Sequence, residues 1–189
     1  MRKLFSFNMV TLDGFFEGPN PWDIAWHNVD AEFGDFASEQ MQTIDTLFFG
    51  RLTYQGMASY WPSPEALESD PLIANAMNSV PKIVVSTTLQ SADWNNSRRI
   101  KDHLAEEIAR LKQQPGKDLA IFGSANLLSL LVRMNLVDEH RVMVNPVVLG
   151  KGTPLFKSVE EPLKLKLTAS RTFNNGNVLL TYVPAPPSS

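Results

Sequence analysis

The sequence contains no cysteine among its 189 residues. Disulfides and thiolate metal sites are therefore excluded, and a reducing intracellular compartment suits the chain. Histidine is also scarce, with only His27, His103 and His140 present. These three are scattered along the chain without the short spacings typical of metal ligands, so we expect no metal centre.

Long apolar runs and a strong net charge are missing as well. No uninterrupted apolar stretch approaches the roughly 20 residues that a membrane-spanning helix requires. The formal net charge of −3 at pH 7 gives no reason to expect a nucleic-acid partner. We therefore expect a cytoplasmic protein that binds a small molecule, with neither nucleic acid nor membrane as partner.

Short apolar runs and longer amphipathic stretches alternate along the first three quarters of the chain. Each apolar run ends in a glycine or in small hydroxyl residues, as strands buried on both faces of a sheet often do. The amphipathic stretches between them predict crossover helices. The predicted strands cover residues 3–11, 46–50, 82–87 and 119–123, and the predicted helices lie at about 31–44, 65–79, 101–114 and 125–134.

The pattern changes after residue 140. The segment "HRVMVNPVVLG" predicts a strand bent at Pro146, and Asn174-Asn175-Gly176 separates two alternating runs, which is a strong hairpin signal. The sequence therefore predicts one α/β domain over residues 1–184. We expect a three-layer sandwich with a mainly parallel central sheet, crossover helices on both faces, a C-terminal antiparallel hairpin, and a flexible tail at 185–189.

The ends of the predicted strands are the candidate ligand site. In open α/β sheets, ligands bind outside the carboxyl ends of the parallel strands. Here those ends read "LDGFFEG", "GRLTY", "STT" and "GSAN". Glycine allows close backbone approach, and hydroxyls together with helix N–H groups accept phosphate oxygens. Four such ends predict a site for an extended, phosphate-rich molecule.

Three familiar nucleotide and hydrolase motifs are absent. "GKGT" at 150–153 lacks the upstream glycine of a P-loop, and "GSAN" lacks the three glycines of the common dinucleotide fingerprint. No Gly-x-Ser-x-Gly nucleophile elbow occurs. We therefore interpret "GKGT" as a glycine-rich turn after a strand.

Several of these segments, in this order, resemble the dihydrofolate reductase-like superfamily. The chain is most similar to the reductase domain of riboflavin biosynthesis and its stand-alone bacterial relatives. The resemblance spans roughly residues 2–184. It is carried by the segments "MVTLDGFFEG", "FGRLTYQGM", "VVSTTL", "IFGSANLLSLL", "LVDEHRVMVNPVVLGKGTPLF" and "FNNGNVLLTYVP".

The resemblance implies an NADPH-dependent reductase that acts on an aminopyrimidine-ribosyl or pterin-like heterocycle. It also implies a homodimer. It also assigns roles to the strand ends. Val10 and Thr11 would flank the nicotinamide, and Asp13, Gly14 and Phe15 would close over it. Gly50, Arg51 and Thr53 would hold cofactor phosphates, Ser86, Thr87 and Thr88 would meet the adenosine 2′-phosphate, and Gly123, Ser124, Ala125, Asn126 and Leu127 would cradle the pyrophosphate.

On the substrate side, the resemblance points to an acid near the first long helix, for which we choose Asp30. The alternative is that this acid only favours the helix N-terminus. Trp22, Tyr54 and Trp61 are expected to stack on a flat ring. "SRRI" at 97–100 either serves the adenine end of the cofactor or lies in a solvated loop. The alternative function is a non-catalytic NADPH- or nucleotide-binding protein, which would bind the cofactor without turnover.

Overall fold

The computed structural model describes residues 1–186 of the chain, which form ten strands and six helices. The strands are β1 (Leu4–Thr11), β2 (Phe15–Glu17), β3 (Ile44–Gly50), β4 (Lys82–Val85), β5 (Ser97–Ile100), β6 (Asp118–Phe122), β7 (Glu139–Asn145), β8 (Thr153–Pro154), β9 (Leu165–Thr172) and β10 (Val178–Pro184). The helices are α1 (Ala31–Gln42), α2 (Arg51–Tyr60), α3 (Pro64–Ser69), α4 (Pro71–Ser79), α5 (Leu104–Gln113) and α6 (Ala125–Arg133).

Eight of the strands form one sheet, in the order β5-β4-β3-β6-β1-β7-β10-β9. The first six are parallel, and β10 runs antiparallel to both β7 and β9. The short strands β2 and β8 pair separately. Parallel strands are covered on both faces, which explains the nearly unbroken apolar runs of β1, β3 and β6. The predicted fold class, with its C-terminal hairpin, is confirmed.

Helices cover both faces of this sheet. On one face, Ile108 of α5 and Leu128 of α6 pack in a cluster with Phe48 and Ile121. On the other face, Met41 of α1 and Met77 of α4 pack in a cluster with Phe5, Phe49 and Ala120. We refer to these as the α5–α6 face and the α1–α4 face. The three layers follow from burial of one apolar stripe on each helix.

The predicted helix at 65–79 is in fact two helices that meet at Asp70. Asp70 has a non-helical backbone (φ −145°), and its carboxylate accepts a hydrogen bond from the Ile73 N–H at 3.1 Å, which starts α4. Pro71 restricts the preceding residue to non-helical angles but suits the first helical position. The proline therefore breaks the apolar stripe into two helices.

Two further segments differ from or extend the sequence prediction. "SRRI" forms the edge strand β5, so the solvated-loop interpretation is wrong. Of the predicted tail, residues 187–189 lie outside the described part of the chain, and the Ala185 N–H donates a hydrogen bond to the Lys164 carbonyl at 2.8 Å.

Among the described helices, none is long and apolar enough to cross a membrane.

His140 on β7 is an ionisable group inside the core. It is 1% exposed, and its Nδ1 lies 3.0 Å from the Ser6 hydroxyl of β1. Burial lowers the pKa of His140 to about 4, from 6.5. The folded protein therefore keeps a neutral imidazole at pH values where the unfolded chain binds a proton. The stability that this provides is complete above pH 6.5 and is lost as the pH falls toward 4.

We expect the free energy of unfolding to fall between pH 6.5 and 4.5, and the variant His140→Gln to lose less over that range than the wild type. The full difference in the pKa of His140 between the unfolded and the folded protein corresponds to about 3 kcal/mol of unfolding free energy. Urea titrations at both pH values measure it, and the exposed His103→Gln is the matched control. An equal loss in the wild type and in His140→Gln would contradict the role of this imidazole.

Candidate functional site

The neighbouring strands β3 and β6 send their following helices to opposite faces of the sheet. Tyr54 of α2 packs on the α1–α4 face, whereas Leu128 of α6 packs on the α5–α6 face. Two adjacent parallel strands that diverge in this way leave a crevice outside their carboxyl ends, where open α/β sheets bind ligands. The "GRLTY" and "GSAN" segments lie on either side of this crevice.

Gly50 and Ser124 bring the two helix N-termini into contact. A Cβ built on Gly50 would overlap the Ser124 hydroxyl and lie 3.2 Å from the Ser124 Cβ. Ser124 has a left-handed backbone (φ 61°) and its hydroxyl accepts a hydrogen bond from the Leu127 N–H at 3.3 Å. Gly50 has no side chain with which to cap α2. The N–H groups of the first turn of α2 are therefore free to meet an anion.

Gly123 completes this contact from the β6 side. It has φ 72°, and a Cβ there would lie 3.0 Å from Thr53 Cγ2 and 3.4 Å from the ring of Phe16. Thr53 is buried, so the predicted residues Gly50, Thr53 and Gly123 are brought together. Phe16 belongs to the "LDGFFEG" strand end that the sequence places at the site, although the sequence assigns it no specific role.

The first turn of α6 contains the other predicted pyrophosphate residues. Ala125 and Leu127 are buried, whereas Asn126 is exposed. The two apolar side chains thus serve the core, and the Leu127 N–H is already donated to the Ser124 hydroxyl.

Thr11, Asp13 and Gly14 form a tight turn after β1. The Thr11 hydroxyl donates to Asp13 Oδ1 at 2.6 Å and accepts from the Phe15 N–H at 2.9 Å. The other carboxylate oxygen accepts from the Gly150 N–H at 2.7 Å. These hydrogen bonds hold the pKa of Asp13 below its ordinary value, and the one from the Thr11 hydroxyl contributes most. The turn is therefore tied to the "GKGT" loop, whose interpretation as a turn agrees with the structure.

Val10 lies directly before this turn and is almost completely buried, at 5% exposure. Its carbonyl accepts a hydrogen bond from the Asn145 side-chain amide at 3.3 Å. The end of β1 is thus held from β7, its parallel neighbour.

Arg51 and the segment after β4 border a common groove of about 890 Å³, between α2 and residues 88–95. The guanidinium is exposed in the first turn of α2 and faces the Gln55 side chain at 3.3 Å rather than a carboxylate. Across the groove lies Thr88. The Ser86 hydroxyl accepts the N–H groups of Thr88 and Leu89 at 3.2 and 3.0 Å, which shapes the turn, and Thr87 is exposed. Of the predicted 2′-phosphate residues, Thr88 therefore lines the same groove as Arg51.

Tyr54, which we predicted to contact the substrate, is largely buried in the core and borders the groove beside Arg51. Its side chain is 4% exposed, and its hydroxyl accepts a hydrogen bond from the Trp94 N–H at 2.9 Å. Trp61 is partly buried against the same cluster, with its indole N–H 3.1 Å from the Met57 sulfur. Neither aromatic ring is displayed as an open stacking surface.

Trp22, in contrast, is 41% exposed and lies across Gly56 of α2. A Cβ on Gly56 would overlap the indole ring. Trp22 also has a left-handed backbone (φ 66°), which is costly for a large side chain and usually marks a constrained loop. The loop between β2 and α1 thus reaches α2 through this indole.

Asp30 is the N-cap of α1. Its carboxylate is exposed and accepts a hydrogen bond from the Phe33 N–H at 2.9 Å. Asp30 therefore caps the N-terminus of α1, which is the alternative role that we gave for it. The role of Asp30 as proton donor stays a prediction.

Four asparagines, which sequence reasoning missed, fix the other end of the same loop. The Asn28 N–H donates to the Asn145 side chain at 2.9 Å, and its amide donates to the Asn175 carbonyl at 2.7 Å. The Asn28 carbonyl accepts from the Asn177 side chain at 2.7 Å. The segment before α1 is therefore pinned between the end of β7 and the C-terminal hairpin. In the described residues, no cluster of His, Asp or Glu suits a metal ion.

Taken together, the parallel α/β sheet and the paired helix N-termini form a crevice whose chemistry suits an anionic ligand. The family model of the RibD C-terminal domain matches residues 2–179. The chain belongs to this family.

Several known proteins are similar to the chain in sequence or in fold. The uncharacterized protein YyaP of Bacillus subtilis strain 168 is 37% identical over 183 residues, covering 96% of this chain and 94% of YyaP. A crystal structure of a protein provisionally assigned to riboflavin biosynthesis in Shewanella sp. PV-4 has a TM-score of 0.69 at 24% identity, covering 97% of this chain and 99% of that one. Dihydrofolate reductase from Enterococcus faecalis, complexed with NADP(H), has a TM-score of 0.62 at 15% identity and covers 97% of each chain. The two structures show the shared fold.

We expect Gly50→Ala to lower the free energy of unfolding by about 1–3 kcal/mol, because the added methyl group overlaps Ser124. Adding Ser124→Gly should restore part of this loss, since it removes the hydroxyl that the methyl group meets. Urea unfolding of the two single variants and the double variant measures the coupling. Strictly additive losses would mean that the two residues are not in contact.

Proposed function

We propose that the protein is an NADPH-dependent reductase of a small heterocyclic substrate, either aminopyrimidine-ribosyl or pterin-like. The observation that carries this proposal is the contact between the N-termini of α2 and α6 at Gly50 and Ser124. A dinucleotide carries several phosphate charges, and two adjacent helix N-termini offer N–H donors and partial positive charge to them.

Arg51 supports the choice of the 2′-phosphorylated cofactor. An arginine in the first turn of a helix is unfavourable with respect to the helix dipole unless an anion is nearby. Its guanidinium is exposed beside the groove that Thr88 also lines, and it faces Gln55. A guanidinium binds phosphate through two parallel hydrogen bonds. The 2′-phosphate of NADPH supplies such a partner, and NADH does not.

The residues around the end of β1 suit the nicotinamide end of the cofactor. Val10 and the Thr11 turn are held rigidly by Asn145 and Asp13. Phe16 approaches Gly123 beside them. NADPH, when bound, supplies the hydride for reduction, and the protein contributes a dry, preorganised surface at its reactive end. In this proposal, the Asp30 carboxyl group supplies the proton to the reduced heterocycle.

We expect Arg51→Ala to weaken NADPH binding about tenfold or more while changing NADH binding less than threefold, since a hydrogen bond to a charged group is lost only with NADPH. Quenching of tryptophan fluorescence measures both dissociation constants. Arg133→Ala, at the opposite end of α6, is the matched control. Equal losses for the two cofactors would show that Arg51 does not read the 2′-phosphate, and no saturable binding of either would refute the proposed function.

For Asp30, we expect Asp30→Asn to lower kcat about 100-fold or more while the free energy of unfolding stays within about 0.5 kcal/mol, because asparagine caps a helix as well as aspartate but carries no exchangeable acid proton. Asp70→Asn at the start of α4 is the control for a cap without a catalytic role. Unchanged turnover in Asp30→Asn would reduce Asp30 to a helix cap.

A further inference from the structure

The turn of the C-terminal hairpin contains the dipeptide Asn175-Gly176, the only Asn-Gly pair in the sequence. Asparagine is a thermolabile residue, because the backbone nitrogen of the next residue can attack its side-chain amide and displace ammonia. Glycine favours this attack, since it has no Cβ to screen its nitrogen. The dipeptide that permits the tight turn is therefore also the most reactive asparagine site of the chain.

The turn lies at an edge of the sheet, where water has access to it. β9 is the last strand in the sheet order, and most of its residues are exposed. Gly176 is exposed and Asn175 is partly exposed. Gly176 also has φ 89°, a left-handed backbone that glycine adopts without strain. Solvent can therefore reach the reacting pair, whereas the neighbouring Asn177 is completely buried.

Two backbone hydrogen bonds act on the reacting atoms in opposite directions. The Asn177 N–H donates to the Asn175 side-chain oxygen at 3.0 Å, and so stands where negative charge develops when a nitrogen adds to the amide carbon. The Gly176 N–H donates to the Phe173 carbonyl at 3.0 Å, which keeps the attacking nitrogen protonated and in place. Exposed turns open locally at a low cost in free energy. The reaction therefore requires local opening of the turn, and it is slower in the folded protein than in the unfolded chain.

The single Asp-Gly pair, Asp13-Gly14, shows how the fold protects a similar dipeptide. A backbone nitrogen attacks an aspartate in the same way when its carboxyl group is protonated. The Asp13 carboxylate accepts hydrogen bonds from the Thr11 hydroxyl and the Gly150 N–H, and these hold its pKa below the ordinary value. Asp13 is therefore ionised at neutral pH and resists the attack. The uncharged amide of Asn175 has no such protection.

The Asn175 residue joins the hairpin to the segment before α1. Its side-chain amide donates to the Asn28 carbonyl at 3.1 Å, and its backbone carbonyl accepts the Asn28 side-chain amide at 2.7 Å. The Asn28 N–H in turn donates to the Asn145 side chain, which holds the Val10 carbonyl at the end of β1. A chain of hydrogen bonds thus runs from the hairpin turn to the crevice.

Loss of ammonia from Asn175 would break this chain at its outer end. The new carboxylate has no N–H to donate, and its oxygen would face the Asn28 carbonyl oxygen, which is repulsive. It would also add a negative charge next to Asn174, whose N–H is donated to the Glu32 carboxylate of α1 at 2.8 Å. Isoaspartate would in addition lengthen the main chain by a methylene group and displace the carbonyl that Asn28 holds. Both products therefore weaken the attachment of the hairpin to this segment.

We propose that Asn175 is a spontaneous deamidation site, and that its conversion to aspartate or isoaspartate releases the segment before α1 from the C-terminal hairpin. The Gly176 nitrogen loses its proton to water and bonds to the side-chain carbon of Asn175, while the side-chain nitrogen leaves as ammonia. Water then opens the cyclic imide. Cleavage between the nitrogen and the side-chain carbon gives aspartate, and cleavage between the nitrogen and the main-chain carbon gives isoaspartate. No oxidant or reductant takes part, and no step depends on the proposed cofactor.

Peptide mapping of the folded wild type, incubated at mildly alkaline pH, tests the chemistry. We expect deamidation at Asn175 to be about tenfold faster or more than at Asn135, an exposed asparagine followed by the larger Leu136. Unfolding in urea should accelerate the reaction at Asn175 further, because it opens the turn. Asp13 should stay free of isoaspartate in the folded protein. A folded-state rate at Asn175 equal to or below that at Asn135 overturns the inference.

The variant Asn175→Gln identifies the source of the signal. Glutamine keeps the amide but would have to close a larger ring, so the modified hairpin peptide should disappear from the map. A signal that persists in Asn175→Gln would come from Asn174 or Asn177 and would refute the assignment.

The variant Asn175→Asp reproduces the aspartate product and tests its effect on the fold. We expect amide hydrogen exchange at His27 and Asn28 to rise about tenfold, since the lost hydrogen bond releases the segment before α1. Asn135→Asp adds the same charge just after α6 and is the matched control, in which this exchange should not change. Unchanged protection of Asn28 in Asn175→Asp, or an equal rise in both variants, contradicts the release.

Discussion

The close contact between Gly50 and Ser124 is the constraint on which the site depends. The parallel strands β3 and β6 must lie side by side, and their helices must leave toward opposite faces. Both helix N-termini then occupy nearly the same place, and a side chain at position 50 does not fit. Ser124 accepts a left-handed backbone to start α6 there. The local strain thus lies where the two helix N-termini meet.

Around this contact, the turn after β1 is held by short hydrogen bonds, such as those of Asp13 with Thr11 and Gly150. The segment before α1 is held in a similar way, because the Asn28 backbone is bonded to the end of β7 and to the hairpin. The loops that border the strand ends are therefore fixed by hydrogen bonds to segments that are distant in the sequence.

Much of the fold could be predicted from the sequence, and so could the meeting of the glycine-rich strand ends at one crevice, because the carboxyl ends of parallel strands lie at the same edge of a sheet. The positions of the aromatic side chains could not. A tyrosine at position 54 suits stacking on a ligand as well as packing in the core. Its packing depends on Trp94, 40 residues away, whose N–H donates to the Tyr54 hydroxyl. Phe7 looks like any apolar strand residue, yet it is the one residue of Leu4–Thr11 that is not fully buried. The break at Asp70 depended on Pro71, which an apolar periodicity does not register.

The central position of β1 has a consequence for synthesis of the chain. Both edges of β1 pair with strands more than 100 residues downstream, as Leu4 with Leu119 and Phe5 with Glu139 show. The strand therefore leaves the ribosome long before either neighbour exists. Its apolar residues and unpaired backbone groups must wait until nearly three quarters of the chain has emerged. Such long-range pairing slows folding and leaves the apolar β1 segment unpaired while the later strands are being made.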